Sequence, residues 1–168
     1  RWRVMVTPMP DEVSVLAQRL LGSRPDRIVP VGGGGNNRIY RVDTVEGPVA
    51  LKGYRVDDGD DRDRLGQEWA ALTLISPRLP DSVPRPIARD RASGWAAYEW
   101  IAGDKVETVS DSDIDAAVAF VRNLQTLRNE PGAADLRLAS EACLSMTELS
   151  TQIGRRLGRL AGIEPIDR

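Results

Sequence analysis

A run of four glycines, Gly32–Gly35, constrains the fold more than any other feature of the sequence. It lies between Arg27–Val31 and Arg38–Val42, two segments with the composition of β-strands. Glycines between such segments predict a turn that reverses the chain. After a second break at Glu46–Pro48, the segment Val49–Tyr54 is again typical of a strand. The sequence therefore predicts three antiparallel strands that pair in chain order.

Further elements flank these three strands. A short amphipathic helix is predicted from Pro10, ending at Gly22. A second helix is predicted from about Arg62 to Ile75, where Ser76–Pro77 ends the helical spacing of apolar residues. Two more strands are predicted in Pro84–Arg89 and Gly94–Ile101. This order predicts an α+β fold, because the strand-helix alternation of a parallel sheet is missing.

Beyond Gly103 the composition predicts two amphipathic helices. The first is expected to begin at the capping box Ser112–Asp115, and the second at the capping box Ser145–Glu148. The apolar face of the first comprises Ile114, Ala117, Val118, Val121, Leu124 and Leu127. The apolar face of the second comprises Leu149, Ile153, Leu157 and Leu160. Because such a face has to be buried, we expect self-association through the last helix.

Charge and residue usage exclude several classes of function. The 23 basic and 25 acidic residues give a net charge of −2, too balanced for the positive field that nucleic-acid binding needs. One cysteine, Cys143, and no histidine exclude an internal disulfide, the common structural zinc sites and Ser-His-Asp or Cys-His catalysis. The sequence has neither an apolar run of about 18 residues nor a signal-peptide pattern. We expect a cytoplasmic protein with no nucleic-acid or membrane partner.

An acidic run, Asp57–Asp63, places five aspartates within seven residues. Such a cluster is a candidate metal site, because carboxylate oxygens bind hard divalent cations. The run lacks the EF-hand spacing, however, and crowded carboxylates around a glycine are typical of a solvated linker. We therefore predict a linker here and no metal ligand in this chain.

The glycine run is also a candidate phosphate-binding loop. Glycines let a backbone approach a ligand closely and present several N–H groups to an anion. A Walker A loop is excluded because no Gly-Lys-Ser or Gly-Lys-Thr ends the run. A dinucleotide-binding oxidoreductase is disfavoured because a strand follows where that fold has a helix. A glycine-rich hairpin turn without a ligand is the alternative.

Lys52 and Glu68 are predicted to form an ion pair. Strand alternation places Lys52 on one face together with Ala50 and Tyr54. On the following helix, Glu68 is the single charge in an apolar stripe at helical spacing. An unpaired carboxylate that faces inward costs roughly several kcal/mol, and Lys52 is its natural partner on the sheet. Each residue alone could be a solvated charge, but their joint placement favours the pair.

Several motifs follow the glycine run in order. They are Asn-Arg-Ile-Tyr-Arg-Val, Ala-Leu-Lys, the helix glutamate, Val-Pro-Arg-Pro and Tyr-Glu-Trp-Ile-Ala-Gly. Over about residues 28–160 this set resembles the aminoglycoside phosphotransferase and choline kinase group, which has the protein-kinase-like fold. The resemblance implies an antiparallel five-stranded sheet with a helix, followed by a helical segment. It implies a nucleotide-binding N-terminal lobe with a preceding helix over residues 1–103 and the start of a second lobe over residues 104–168.

The resemblance also implies a site for ATP or another nucleoside triphosphate. Lys52 would bind the α- and β-phosphates, and Glu68 would hold Lys52 in place. The loop over the phosphates would comprise Gly32, Gly33, Gly34, Gly35, Asn36 and Asn37. The purine would be enclosed by Val31, Ile39 and Ala50, with Tyr98 behind it and the Glu99 C=O and Ile101 N–H at its edge. With magnesium, the enzyme would transfer the γ-phosphoryl group to a hydroxyl of a small molecule.

The family's catalytic residues are not recognised in this sequence. Its catalytic loop, with an Asp as base and an Asn for magnesium, follows these helices, as does a second metal-binding Asp. Asp167 lies too close to the last helix and has no downstream Asn. We therefore expect the ATP-binding part of a small-molecule O-phosphotransferase that has no catalytic residue in this chain and is inactive alone. The alternative is a non-catalytic nucleotide-binding or interaction module on the same scaffold.

Overall fold

A five-stranded antiparallel sheet forms the centre of the computed structural model, which describes residues 10–32, 37–54, 63–138, 142 and 144–160. The strands are β1 (Arg27–Val31), β2 (Asn37–Thr44), β3 (Gly47–Tyr54), β4 (Pro86–Asp90) and β5 (Trp95–Glu99). Their order in the sheet is β1-β2-β3-β5-β4. The helices are α1 (Pro10–Leu21), α2 (Arg64–Ile75), α3 (Asp111–Thr126), a 3-10 turn (Leu127–Asn129) and α4 (Met146–Leu160). The predicted α+β fold, a five-stranded antiparallel sheet followed by helices, is confirmed.

Helices cover both faces of the sheet. Because successive strand residues point to opposite faces, α1 and α2 build separate cores. The α1-side core contains Val13, Ala17, Tyr40, Val42, Val49, Leu51, Trp95 and Ala97. The α2-side core contains Tyr54, Leu65, Leu72, Ala96 and Tyr98. Strand β5 contributes to both cores, so its residues from Trp95 to Tyr98 are all buried.

The start of α3 differs from the prediction. Ser110, rather than Ser112, caps the helix: its Oγ accepts the N–H of Asp113 at 3.4 Å, and the Asp113 carboxylate accepts the N–H of Ser110 at 2.8 Å. The sequence contains two overlapping Ser-x-x-Asp patterns. The earlier one lengthens the helix and places Asp111 and Asp113 in its first turn, where the helix dipole favours negative charge.

The chain divides into two compact units, Arg1–Leu136 and Arg137–Arg168. The sheet and α1 to α3 belong to the first unit. Helix α3 has no buried residue, and its apolar side chains Ile114, Val118 and Val121 are each about half exposed. Arg78, just after α2, forms an ion pair of 2.9 Å with Glu130 beyond the 3-10 turn. The functional division between residues 1–103 and 104–168 stays a prediction.

Helix α4 lies in the second unit. Ser145 Oγ accepts the N–H of Glu148 at 3.2 Å, as a capping box requires, while the Glu148 carboxylate accepts the N–H of Leu144 at 2.7 Å. The exposed fractions of its apolar residues are 37% for Leu149, 49% for Ile153 and 60% for Leu157. The side chain of Leu160 lies outside the description. Self-association through α4 stays a prediction that sedimentation can test.

Candidate functional site

Lys52 and Glu68 meet on the α2 side of the sheet. Lys52 lies on β3, opposite Ile39 of β2 and Ala96 of β5. Its Nζ atom is 2.8 Å from Oε1 and 2.6 Å from Oε2 of Glu68. Both carboxylate oxygens therefore accept hydrogen bonds from the ammonium group. The ion pair predicted from strand and helix periodicity is confirmed.

Helix α2 is held so that Glu68 faces the sheet. Leu65 and Leu72, on the same stripe of the helix, are buried in the α2-side core. At the start of the helix, Asp63 Oδ1 accepts the N–H of Gly66 at 2.7 Å. A Cβ atom on Gly66 would overlap the Asp63 carboxylate, so a side chain at this position would displace the cap. The cap and the two leucines together fix the position of α2 on the sheet and its rotation about its own axis, and they thereby fix the position of Glu68.

The ion pair is only partly buried. The side chains of Lys52 and Glu68 are 18% and 36% exposed. The Lys52 ammonium also lies 4.9 Å from the centroid of the Tyr54 ring, within the range of a cation–π contact. Because solvent screens a pair of this exposure, it contributes modestly to stability. A positive charge that is held in place and still reaches solvent is suited to an anionic ligand.

Two buried tyrosines lie beside the ion pair on the same face. The hydroxyl oxygens of Tyr54 and Tyr98 are 2.6 Å apart. Burial raises the pKa of Tyr98 to about 12. Burial, followed by the hydrogen bond to Tyr98 and the charge of Glu68, raises the pKa of Tyr54 well above its usual value. Both phenols therefore stay protonated at physiological pH.

Tyr54 is the candidate that the sequence did not assign to the site. Strand alternation placed it on the face of Lys52, which is a weak signal because many strand tyrosines only fill a core. Its partner Tyr98 is 44 residues away. The pairing of β3 with β5 brings the two phenols together, and no local spacing indicates that pairing.

The sheet register groups the predicted apolar residues around Lys52. Val31, Ile39 and Lys52 are aligned across β1, β2 and β3. Ala50 and Tyr98 form an adjacent row. Directly opposed residues share a face, so these five side chains lie on one side of the sheet. The structure thus brings together an apolar surface, a lysine and a carboxylate.

Residues 27–162 match the model of the phosphotransferase enzyme family. The chain belongs to this family. A solved structure with a similar fold is the protein assigned as a fructosamine-3-kinase from Thermobifida fusca YX-ER1, with a TM-score of 0.51 and 20% identity. That match covers 71% of this chain and 39% of the other, so the chain spans well under half the length of that protein. No match was found among curated proteins. The predicted family resemblance is confirmed.

The end of β5 carries the two residues predicted to bind an adenine edge. Glu99 is the last residue of the strand, and its N–H donates to the C=O of Arg85 at 2.9 Å. The Glu99 carboxylate accepts the N–H of Arg85 at 3.2 Å. Ile101 follows and is about half exposed. The contacts of the Glu99 C=O and the Ile101 N–H with adenine stay predictions.

The glycine loop is described only at its two ends. Gly33, Gly34, Gly35 and Asn36 lie outside the described residues. Within the described part of the chain, a Cβ atom on Gly32 would meet no atom within 4 Å. Asn37 begins β2 opposite Tyr54, and its Oδ1 is buried with no hydrogen-bond partner in the described part of the chain. A buried acceptor without a partner costs free energy, so a donor at this position would be stabilising.

Among the described residues, no group of three or more His, Cys, Asp or Glu residues is placed to hold a metal ion. Residues 57–62 of the acidic run and Cys143 lie outside that part of the chain. None of the helices described is long and apolar enough to cross a membrane.

Proposed function

We propose that this chain is the ATP-binding part of a small-molecule O-phosphotransferase. The observation that carries the proposal is the Lys52–Glu68 ion pair on an apolar face of the sheet, in a member of the phosphotransferase enzyme family. In kinases a strand lysine held by a helix glutamate contacts the phosphates of ATP, and catalysis consists mainly of positioning and charge stabilisation. The acceptor is a hydroxyl group of a small molecule.

The hydrogen-bonding capacity of Lys52 suits this role. A lysine ammonium has three N–H donors. Two of them are directed at Glu68 Oε1 and Oε2, at 2.8 and 2.6 Å. The third is left for an oxygen of the α- or β-phosphate. Glu68 thus fixes the ammonium without using all of its donors.

The other roles follow from position on the same face. Val31, Ile39 and Ala50 offer apolar contacts to a purine, while Tyr98 lies behind it in the core. The edge of the base is bound by the backbone of the residues that end and follow β5. Asn37 Oδ1, which has no hydrogen-bond partner in the described part of the chain, would accept a hydrogen bond from a ligand donor such as a ribose hydroxyl.

Magnesium, bound together with ATP, would neutralise charge on the β- and γ-phosphates. Among the described residues, the side chains proposed to face the nucleotide are apolar apart from Lys52, Glu68 and Asn37. We propose that the residues that hold the metal and activate the acceptor lie outside these 168 residues. By itself, the chain then neither transfers phosphate nor hydrolyses ATP above background.

Labelling with an acyl phosphate of ATP tests the nucleotide site directly, since this probe acylates a lysine beside the bound phosphates. The only lysines of the chain are Lys52 and Lys105, and Lys105 is exposed. We expect labelling of Lys52, suppressed by free ATP, in both the wild type and a Lys105→Arg control. If both lysines are labelled equally and free ATP suppresses neither reaction, the proposal is refuted.

A coupled assay with a panel of hydroxylated acceptors tests inactivity. We expect no turnover from the chain alone, because no general base is provided. Turnover that disappears in Lys52→Ala would contradict this and would require a catalytic carboxylate within the chain. The alternative, a non-catalytic module, predicts ATP binding without transfer even in the full-length protein.

A further inference from the structure

The Tyr54 and Tyr98 side chains connect two strands with different proposed tasks. Tyr54 follows Lys52 on β3, and Tyr98 precedes Glu99 at the end of β5. Their hydroxyl oxygens are 2.6 Å apart in the buried α2-side core. We propose that this hydroxyl pair positions the Lys52–Glu68 ion pair relative to the base-binding end of β5. Tyr54 and Tyr98 are then positioning residues rather than packing residues.

Tyr54 and Tyr98 lie on either side of the row of opposed residues formed by Lys52 and Ala96. Tyr98 lies opposite Ala50, and Lys52 lies opposite Ala96. From Ala50 to Tyr54 the strand advances about 13 Å, so the phenols have to lean toward each other over the intervening row. The small side chain of Ala96, which is fully buried, leaves room for this bridge. Lys52 shares that row, and its ammonium lies 4.9 Å from the Tyr54 ring centroid.

The ring of Tyr54 links the hydroxyl bridge to Lys52. The Lys52 ammonium lies 4.9 Å from the centroid of that ring, within the range of a cation–π contact. The Tyr54 hydroxyl is in turn 2.6 Å from that of Tyr98, so one phenol donates to the other and Tyr98 holds the ring in place. Two phenylalanines would fill the same core without burying any polar group, and they would remove this chain of contacts.

The reactivity of Lys52 tests the proposal without any nucleotide. Under trace acetylation, the rate at Lys52 is compared with that at Lys105 by peptide mass spectrometry. We expect Tyr54→Phe, and separately Tyr98→Phe, to raise the Lys52 to Lys105 ratio by about 2- to 10-fold, the range for one lost hydrogen bond. The Lys52 to Lys105 ratio of the double variant should be close to that of each single variant, because either change alone breaks the bridge.

Tyr40→Phe is the matched control. Tyr40 is the one remaining tyrosine of the chain and is buried in the α1-side core, on the other face of the sheet. It should leave the ratio unchanged. An unchanged ratio in either folded variant, Tyr54→Phe or Tyr98→Phe, or an equal rise in Tyr40→Phe, overturns the proposal. Because either single variant decides the outcome, one that fails to fold does not prevent the test.

A second measurement rests on the proposed function. Adenosine has no phosphates for Lys52, so Tyr54→Phe should weaken ADP binding by the same factor and leave adenosine binding unchanged. Equal weakening of both ligands would overturn a positioning role. If the wild type binds neither ADP nor adenosine, the proposed function fails, and lysine reactivity alone then decides whether the tyrosines position the ion pair.

Discussion

Substituting Gly53 by alanine tests how closely β3 is packed in the site. Gly53 lies between Lys52 and Tyr54, opposite Trp95 of β5. A Cβ atom there would lie 2.6, 2.7 and 2.8 Å from Cζ2, Cη2 and Cε2 of Trp95. Carbon atoms in favourable contact are about 3.5–4.0 Å apart, so the indole or the strand has to move by about 1 Å. The indole is confined, since its ring centroid lies 6.0 Å from that of Tyr40 in the α1-side core.

The expected loss follows from two opposing effects. An additional carbon in a well-packed core costs about 1–3 kcal/mol. Alanine also reduces the conformational entropy of the unfolded chain, which offsets about 0.4–1 kcal/mol. We therefore expect the free energy of unfolding to fall by about 1–2 kcal/mol and Tm to fall by about 2–8 °C for a chain of this size. Thermal unfolding followed by circular dichroism measures both.

Two variants complete this test. Gly103→Ala is the matched control, because a Cβ atom on Gly103 would meet no atom within 4 Å. It should lower Tm little or not at all. Adding Trp95→Leu to Gly53→Ala should remove the additional loss, since the ring atoms that the methyl group meets are gone. A Gly53→Ala protein as stable as the wild type, or a Gly103→Ala protein that loses as much, would refute the reasoning.

Three further outcomes concern single elements. Asp63→Ala removes the N-cap of α2 and should lower the free energy of unfolding by about 1 kcal/mol, measured by urea denaturation. The hydrogen bond from the Ser93 side chain holds the pKa of Asp90 below its usual value, so Asp90 binds fewer protons when folded. The resulting stability is present above about pH 4 and is lost on further acidification, a dependence that Asp90→Asn should weaken in urea midpoints compared at about pH 6 and pH 3. Gly154→Ala and Gly158→Ala, each with open space around the added methyl group, should raise the helix content of α4 by circular dichroism, with up to about 1 kcal/mol gained per site.

The sequence could predict the part of the site that depends on local periodicity. The two-residue repeat of a strand placed Lys52, Ala50 and Tyr54 on one face, and the helical repeat placed Glu68 on the inner stripe of α2. Both repeats depend only on neighbouring residues. Because α2 packs on that face, the two predictions together were enough to give the ion pair.

Features that depend on distant strands or on competing local patterns could not be predicted in the same way. The Tyr54–Tyr98 contact requires β5 to lie beside β3, a neighbour relation that the alternation within each strand does not encode. Two Ser-x-x-Asp patterns, beginning at Ser110 and at Ser112, could each start α3. The structure uses the one at Ser110, which gives the longer helix. The solvent exposure of Ile114 was also beyond prediction, because a sequence indicates an apolar face and not what covers it.

The two-sided sheet also gives the molecule two separate optical probes. On the α1 side the rings of Trp95 and Tyr40 lie 6.0 Å apart, and on the α2 side those of Trp69 and Tyr98 lie 6.0 Å apart. In a protein whose Trp2 and Trp100 are both replaced by phenylalanine, Trp95→Phe would therefore leave only the indole of the α2 face, and Trp69→Phe only that of the α1 face. Coincident unfolding curves from the two proteins would mean that both cores melt as one cooperative unit, and separated curves would mean that one face loosens while the other stays folded.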